Sequence, residues 1–184
     1  CVGGQFSTIG STTVYNFVRL NSDGSYYVSD RKVNFSGVVR SIKIQTDEKV
    51  IVGSEAYTVD GNSNAFLVRL NTNLTVDSSF ARNVTNIVMD VEIESSGTIL
   101  VCGNFPTVAG TSRVRIARIN SDGSLNTGFN PITPNDLVRG IFTRGDGKIM
   151  VCGSFTDIGT YGVYGKSYIV CLNQDGTIST FFLG

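Results

Sequence analysis

The sequence contains no histidine and no tryptophan. Without histidine it lacks the commonest general base, the serine and cysteine triads that depend on that base, and the most frequent zinc ligand. The four cysteines, Cys1, Cys102, Cys152 and Cys171, form no C-x-x-C pair, so we expect no metal site and no cofactor. Cys102 and Cys152 lie in matching contexts, and two interpretations stay open for them: buried free thiols, or a bridge between neighbouring units.

Charge is also scarce. Charged residues make up 16% of the 184 residues, and 15 Lys+Arg balance 15 Asp+Glu. A balanced charge gives no electrostatic footprint for nucleic acid or an anionic membrane, and no run approaches the roughly 18 apolar residues of a membrane span. We therefore expect no nucleic-acid partner and no membrane insertion, whereas 41% apolar residues suffice for a buried core.

The main feature that is present is an internal repeat. Four similar segments place Val2, Val52, Val101 and Val151 at intervals of 50, 49 and 50 residues. A second recurring position holds an asparagine after an apolar run, at Asn21, Asn71, Asn120 and Asn173. Several positions that keep one period over the whole chain indicate a repeat architecture.

Each repeat reads as four short β-strands, named a to d in chain order. The runs are rich in β-branched and aromatic residues and are separated by Gly, Asn, Asp and Ser, with Asp-Gly at several predicted turns. In the last repeat the predicted strands are 136–142, 148–153, 168–172 and 177–181.

Four antiparallel strands in about 50 residues are typical of a propeller blade. The sequence therefore predicts an all-β fold, a β-propeller of four-stranded antiparallel blades. We divide it into a first unit, 1–37, with strands b to d of a partial blade, and three full blades: a second unit, 38–85, a third, 86–134, and a fourth, 135–184. We expect an incomplete ring, with the chain a fragment of a longer protein or closed by a second copy.

Two stretches carry a resemblance to a known family. Residues 147–155 read G-K-I-M-V-C-G-S-F, and residues 116–130 read I-A-R-I-N-S-D-G-S-L-N-T-G-F-N. Both resemble the delta-60 repeat family of β-propellers, over essentially the whole chain. Cys171 departs from the pattern, since the family has arginine there. The resemblance implies a protein of the bacterial surface, a secreted protein or a phage structural protein, and it implies no enzymatic activity.

Strand a is expected to line the central channel of such a propeller. Alignment of the repeats makes Lys43 equivalent to Glu92, and Glu94 equivalent to Arg144, so we predict ion pairs between neighbouring blades, Lys43 with Glu92 and Glu94 with Arg144. The alternative is that Glu92 and Glu94 form a carboxylate pair for glycoside hydrolysis.

Three further patterns have a structural and a functional interpretation. The longest b–c loop, 156–167, contains Tyr161 and Tyr164 and ends beside Tyr168, and tyrosine with glycine suits an interaction loop. The recurring Arg19, Arg69 and Arg118 are structural arginines that bond turn carbonyls or a carboxylate, or else a ring that binds an anion. The Asn-x-Asp-Gly turns are hairpin turns, or else calcium loops.

We therefore expect a non-catalytic structural or protein-interaction module, from a phage virion (tail, neck or fibre) or a bacterial surface protein. The alternative is a carbohydrate-binding, lectin-like adhesion propeller. The partners expected are other protein subunits or the remaining blades of the same propeller, and a surface glycan or receptor. The location expected is extracellular, on a cell surface or in a virion.

Overall fold

A computed structural model describes residues 1–26, 33–159 and 168–179. Within these ranges the regular structure is entirely short β-strands, which confirms the all-β prediction. In chain order the strands are β1 (Val2–Gly3), β2 (Thr8–Ile9), β3 (Thr12–Thr13), β4 (Phe17–Val18), β5 (Val39–Ile44), β6 (Val50–Ser54), β7 (Thr58–Val59), β8 (Asn62–Ser63), β9 (Leu67–Leu70), β10 (Val88–Ile93), β11 (Ile99–Gly103), β12 (Thr107–Val108), β13 (Thr111–Ser112), β14 (Ile116–Ile119), β15 (Val138–Thr143), β16 (Ile149–Gly153) and β17 (Ile169–Leu172).

The second, third and fourth units each form a three-stranded antiparallel sheet with strand b in the middle. The strand orders are β5-β6-β9, β10-β11-β14 and β15-β16-β17, and the first unit contributes the pair β1-β4. Middle strands β6 and β11 are buried along their whole length. Because these sheets are covered on both faces, their middle strands contain continuous apolar runs such as Val50-Ile51-Val52 in β6.

In the second and third units the predicted fourth strand is wrong as a strand, because strand d is reduced to a single bridge, Val76 to Leu70 and Leu125 to Ile119. In the fourth unit Ile178 bridges Leu172, and the end of the predicted strand, 180–181, lies outside the described residues. In the second unit the chain turns away directly after the bridge, where the backbone N–H of Ser79 donates to Oδ1 of Asp77 at 2.9 Å. A side chain that bonds its own backbone two residues on competes with a sheet ladder.

The b–c connections of the first three units contain small hairpins that the sequence analysis did not predict. Strand pairs β2-β3, β7-β8 and β12-β13 form them, with Gly10, Gly61 and Gly110 at positive φ in their tips. The segment that leads into strand a bridges the hairpin of the same sheet in two cases. Phe35, before β5, bridges Val59 of the β7-β8 hairpin, and Val84, before β10, bridges Val108 of the β12-β13 hairpin.

The a–b and c–d turns have three loop residues, one more than a two-residue Asp-Gly hairpin. In the a–b turn of the second unit the backbone N–H of Glu48 donates to the carbonyl of Gln45 at 3.0 Å, and that of Gln45 donates to the carbonyl of Lys49 at 2.8 Å. The last loop residue has positive φ, as in a type I turn followed by a G1 bulge. Gly97 and Gly147 fill this place in the next two units, whereas Glu48 adopts it with φ 64°.

Replacing Glu48 with glycine is expected to stabilise the protein by about 1 kcal/mol, because glycine has no penalty for positive φ. The Glu48 side chain is exposed, so little packing is lost. The matched control is Gly97→Ala, which places a Cβ in open space at φ 83° and should cost a similar amount. Urea denaturation of both variants measures the effect, and a Glu48→Gly variant less stable than the natural chain would contradict it.

The apolar core lies between neighbouring sheets. Ile51 and Leu67 of the second unit pack in one cluster with Val88 and Val91 of the third. The approach is close at Gly53, where a Cβ would lie 2.7 Å from Cγ1 of Val88. Strand β10 packs against both β5 and β15. Strand a of each unit therefore covers a face of the preceding sheet.

Candidate functional site

Two charged residues on neighbouring a strands form the ion pair that the repeat alignment predicts. Nζ of Lys43 on β5 lies 2.7 Å from Oε2 of Glu92 on β10. The side chains are 41% and 22% exposed, so water screens the pair and its contribution is at most about 1 kcal/mol. That these residues line a channel stays a prediction.

The predicted pair of Glu94 with Arg144 is wrong. Glu94 lies one residue beyond β10, in the turn, and its carboxylate accepts from Nε of Arg118 at 2.6 Å and from Oγ1 of Thr98 at 2.7 Å. Arg144 lies 3.3 Å from the carboxylate of Asp146 in its own turn. Both residues point to the turn end of their own sheet, because the strand has ended before them.

Asp90 links three consecutive sheets, although no pattern in the sequence singles it out. Its Oδ1 accepts from Oγ of Ser41 at 2.8 Å, and its Oδ2 accepts from the backbone N–H of Ile141 at 3.1 Å. Strands β5, β10 and β15 share a register shift at this level, at Ser41, Asp90 and Gly140. The bulge turns the Asp90 carboxylate toward both neighbouring units.

The recurring arginines are structural, as one of the two interpretations predicts. Each reaches a backbone carbonyl in the c–d turn of the following unit: Arg19 Nη1 donates to Thr72 at 2.9 Å, Arg69 Nη1 to Ser121 at 2.6 Å, and Arg118 Nη1 to Gln174 at 2.8 Å. This contact, which we call the arginine clamp, ties each unit to the next. A ring of arginines for an anionic ligand is not supported, because the last two are already paired with carboxylates.

The carboxylate that neutralises the arginine comes from different places in two units. In the second unit Asp77, after strand c, lies 2.9 Å from Nε of Arg69. In the third unit Glu94, after strand a, takes this role for Arg118. Each guanidinium also lies over a phenylalanine ring, Arg69 at 4.8 Å from the centroid of Phe80. The sequence carries a signal for this partner. The second unit has an acid only at the position of Asp77, and the third unit has one only at the position of Glu94.

The interaction loop is described only at its end. Tyr161 and Tyr164 lie outside the described residues. Tyr168 is 61% exposed, has φ 68°, and donates its backbone N–H to the carbonyl of Phe155 at 2.8 Å. Tyr168 therefore lies directly before the last described strand, β17.

All four cysteines are free thiols, so the bridge between Cys102 and Cys152 is not formed. Cys102 and Cys171 are buried, and Cys1 and Cys152 are exposed. Burial first, and then the nearby Asp90 carboxylate, raise the pKa of the Cys102 thiol. A neutral buried thiol is a small apolar side chain and a poor nucleophile.

The Asn-x-Asp-Gly turns use their carboxylates internally, as hairpin turns do. Oδ1 of Asp122 accepts from the backbone N–H of Ser124 at 2.9 Å and from its Oγ at 2.6 Å. The side-chain hydrogen bond and then the backbone one lower the pKa of Asp122. Across the described ranges there is also no group of three or more Cys, Asp and Glu that could hold a metal ion.

An exposed apolar surface remains on the last sheet. We call it the end face and define it as Phe142, Cys152 and Ile169, which the register of β15, β16 and β17 places on one face of the sheet. Phe142 is 51% exposed and Ile169 is 44% exposed. Among the described residues, no helix is long and apolar enough to span a membrane.

Comparison with known proteins follows the same division into units. The model of a family described as a domain of unknown function (DUF5122) beta-propeller matches residues 2–25, 45–80, 94–129 and 144–180. A protein of unknown function from Bacteroides caccae, known from a crystal structure, is similar at 12% identity with a TM-score of 0.34, over 86% of this chain and 71% of that chain. No curated protein matches. Because the matched segments cover most of the sequence, the chain belongs to the DUF5122 β-propeller family.

Proposed function

We propose that the chain is a non-catalytic structural module of a propeller and that its end face binds a further unit of the same repeat. The observation that carries this proposal is a difference between equivalent positions. Cys102 and Ile116 are paired across β11 and β14 and are fully buried. Cys152 and Ile169 hold the same places in the last sheet and are exposed.

The occupant follows from continuity with the interfaces inside the chain. In the second unit, the equivalent face is covered by strand a of the third unit, with Val88 and Val91 against Gly53. A unit with its own strand a has the shape that fits the end face. An exposed cluster of large apolar side chains marks an interaction surface.

The end face is also more apolar than the interfaces it resembles. Phe142 takes the place that Lys43 and Glu92 hold in the other sheets. Cys171 is fully buried where an arginine would form the clamp to a following unit. A further unit would therefore be held by apolar burial rather than by the arginine clamp.

The proposal of a non-catalytic role rests on the partners of the two candidate carboxylates. Glu92 is bound by Lys43 and Glu94 is bound by Arg118. A glycosidase needs two carboxyl groups that flank one scissile bond, whereas each of these carboxylates is held by a different cation. The setting we propose, a phage virion or the bacterial surface, follows from the delta-60 resemblance.

Thiol labelling of Cys152 tests the end face. The chain carries Cys1→Ser, so Cys152 is the one exposed cysteine in the described ranges. A copy of residues 86–134, with its own cysteine replaced by serine, is joined after residue 184 to supply a following unit at the natural spacing. We expect Cys152 to react at least about tenfold more slowly in the extended chain, since covered thiols react only upon opening.

The control is the same extended chain with Phe142→Glu and Ile169→Glu, in which Cys152 should react quickly again. Equal labelling rates with and without the added unit would overturn the proposal. Protection that persists in the double variant would show that the end face is not the contact surface.

A further inference from the structure

A cavity of about 500 Å³ lies beside the hairpin of the third unit. One wall is strand β13 with the two residues after it, 111–114, and the other is the connection 130–133 that leads to the fourth unit. We call it the Arg113 cavity, after the arginine in the first wall. Its size lies within the range of small-ligand sites.

Both walls of the Arg113 cavity are fixed by the fold. The first belongs to the paired β12-β13 hairpin. The second is bonded to the c–d turn of the fourth unit, where the backbone N–H of Asn130 donates to the carbonyl of Asp175 at 3.2 Å and that of Ile132 to the carbonyl of Gly176 at 3.3 Å. A site with walls already in place loses little entropy on binding.

The guanidinium of Arg113 has hydrogen-bonding capacity that the chain does not use. Its Nη1 donates to the carbonyl of Ser112 at 2.9 Å, whereas its Nε is buried and has no hydrogen-bond partner. Within the described ranges its Nη2 makes no hydrogen bond and the guanidinium forms no ion pair. A buried donor without an acceptor costs free energy, so a ligand that brings an acceptor to the Nε–Nη2 edge removes this cost.

The fold does not require an arginine at this position. Arg113 directly follows β13, and the residues that directly follow β3 and β8 in the first two units are Val14 and Asn64. Val14 is 3% exposed, so an apolar side chain serves the fold there. Arg113 therefore differs from the arginines of the clamp, which recur in three units.

The chain brings positive charge to this cavity. Among the described residues that line it, Arg113 is the charged one. Arg115 donates its Nη1 to the carbonyl of Pro134, directly after the second wall, at 2.8 Å, and its Nε is also buried without a partner. Residues 160–167 and 180–184, the parts of the fourth unit outside the described ranges, contain no Asp or Glu, so they cannot supply a carboxylate to Arg113. An anionic group is therefore favoured here.

The other groups of the cavity favour an anion that also carries hydroxyl groups. The guanidinium fork matches the geometry of a carboxylate. The side chains of Thr111, Asn130 and Thr133 make no hydrogen bond within the described ranges, and amide and hydroxyl groups both donate and accept. Pro131 adds apolar surface between them. A carboxylate, several hydroxyl groups and an apolar ring face occur together in acidic sugars.

We propose that the Arg113 cavity binds an acidic saccharide. The carboxylate of a uronic or sialic acid pairs with the Nε–Nη2 edge of Arg113, and Asn130 and Thr133 bond the sugar hydroxyl groups. This goes beyond the proposed structural role and uses a different surface, since the end face lies on strands β15, β16 and β17.

Titration calorimetry with the full chain tests the proposal with two matched pairs of probes. Trigalacturonate is compared with its methyl ester, and sialyllactose with lactose. We expect the acidic member of at least one pair to bind, and its neutral partner to bind at least about tenfold more weakly, because the neutral partner cannot form the charged pair.

Variants of the arginine locate the site. Arg113→Gln should weaken binding of the acidic probe at least about tenfold, and Arg113→Lys should recover part of it, because lysine keeps the charge without the fork. The matched control is Arg139→Gln. Arg139 is an exposed arginine on β15 whose Nε donates to Oγ of Ser154 at 3.1 Å, and it does not line the cavity, so its loss should leave binding unchanged.

Thermal unfolding of each variant separates lost binding from lost folding. Ile169→Glu should bind the acidic probe as the natural chain does, so this proposal and the one for the end face fail separately. The inference is overturned if neither acidic probe binds, if the neutral partners bind equally well, or if Arg113→Gln binds unchanged. It is also overturned if Arg139→Gln weakens binding as much as Arg113→Gln, or if tetraglutamate, an acidic peptide, binds more tightly than both sugars.

Discussion

Asp77→Asn is expected to destabilise the protein by about 3 kcal/mol, because it removes the charge partner of a buried guanidinium. Asp77 is 5% exposed and Arg69 is 8% exposed. The Asp77 carboxylate lies 2.9 Å from both Nε of Arg69 and Nζ of Lys49. Without it, two cations face each other at the arginine clamp. Urea denaturation at neutral pH measures the loss.

The third unit shows how the loss can be reversed. There the carboxylate comes from Glu94, and the position equivalent to Glu94 in the second unit is Gln45, whose buried Oε1 has no hydrogen-bond partner. Gln45→Glu in the Asp77→Asn background should therefore recover most of the stability. The single variant Gln45→Glu is the control. A double variant no more stable than Asp77→Asn would show that the two carboxylate positions are not interchangeable.

The Asp77 network also predicts a dependence on pH. Burial opposes ionisation of Asp77, but hydrogen bonds from Ser79, Lys49 and Arg69 outweigh it and hold the pKa of this carboxyl well below its usual range. A pKa lowered in the folded state gives stability that is present above the unfolded value of about 3.9 and is lost as the pH falls below it. The stability difference between the natural chain and Asp77→Asn should therefore narrow below about pH 4. A difference that stays constant down to pH 2 would contradict this origin.

The period of the sequence predicts the strands well, because strand position is a property that every repeat shares. Strands a, b and c of the fourth unit are confirmed as β15, β16 and β17, with small shifts at their ends. The fourth strand was not predictable on the same basis. Its apolar pattern is that of a strand, but the side chain of a residue such as Asp77 bonds the backbone two residues on and ends the pairing.

Side-chain partners are less predictable than strands, because equivalence between repeats fixes a position but not the direction of a side chain. The alignment correctly joins Lys43 and Glu92, because each lies inside a strand a that is paired with strand b of its own unit. It fails for Glu94, which lies beyond its strand and bonds Arg118 of its own sheet. It also gives no hint of Asp90, because Ser41 and Gly140 at the equivalent positions have no charge.

Asp90→Ala is expected to cost about 3 kcal/mol, because one carboxylate serves three sheets. It accepts from Oγ of Ser41, from the backbone N–H of Ile141 and, at 2.9 Å, from the backbone N–H of Val91. A hydrogen bond to a charged group contributes about 1.5–3 kcal/mol to the free energy of unfolding. The variant also leaves the backbone N–H of Ile141 without this acceptor.

The matched control for Asp90→Ala is Glu92→Gln, two residues along the same strand. Glu92 also bonds a side chain of the preceding unit, but its partner Lys43 is 41% exposed, so its loss should cost at most about 1 kcal/mol. Hydrogen exchange adds a spatial test. Asp90→Ala should speed exchange at the Ile141 amide in the fourth unit, whereas Glu92→Gln should leave it unchanged. Equal effects of the two variants on stability and on exchange would show that Asp90 does not join the sheets.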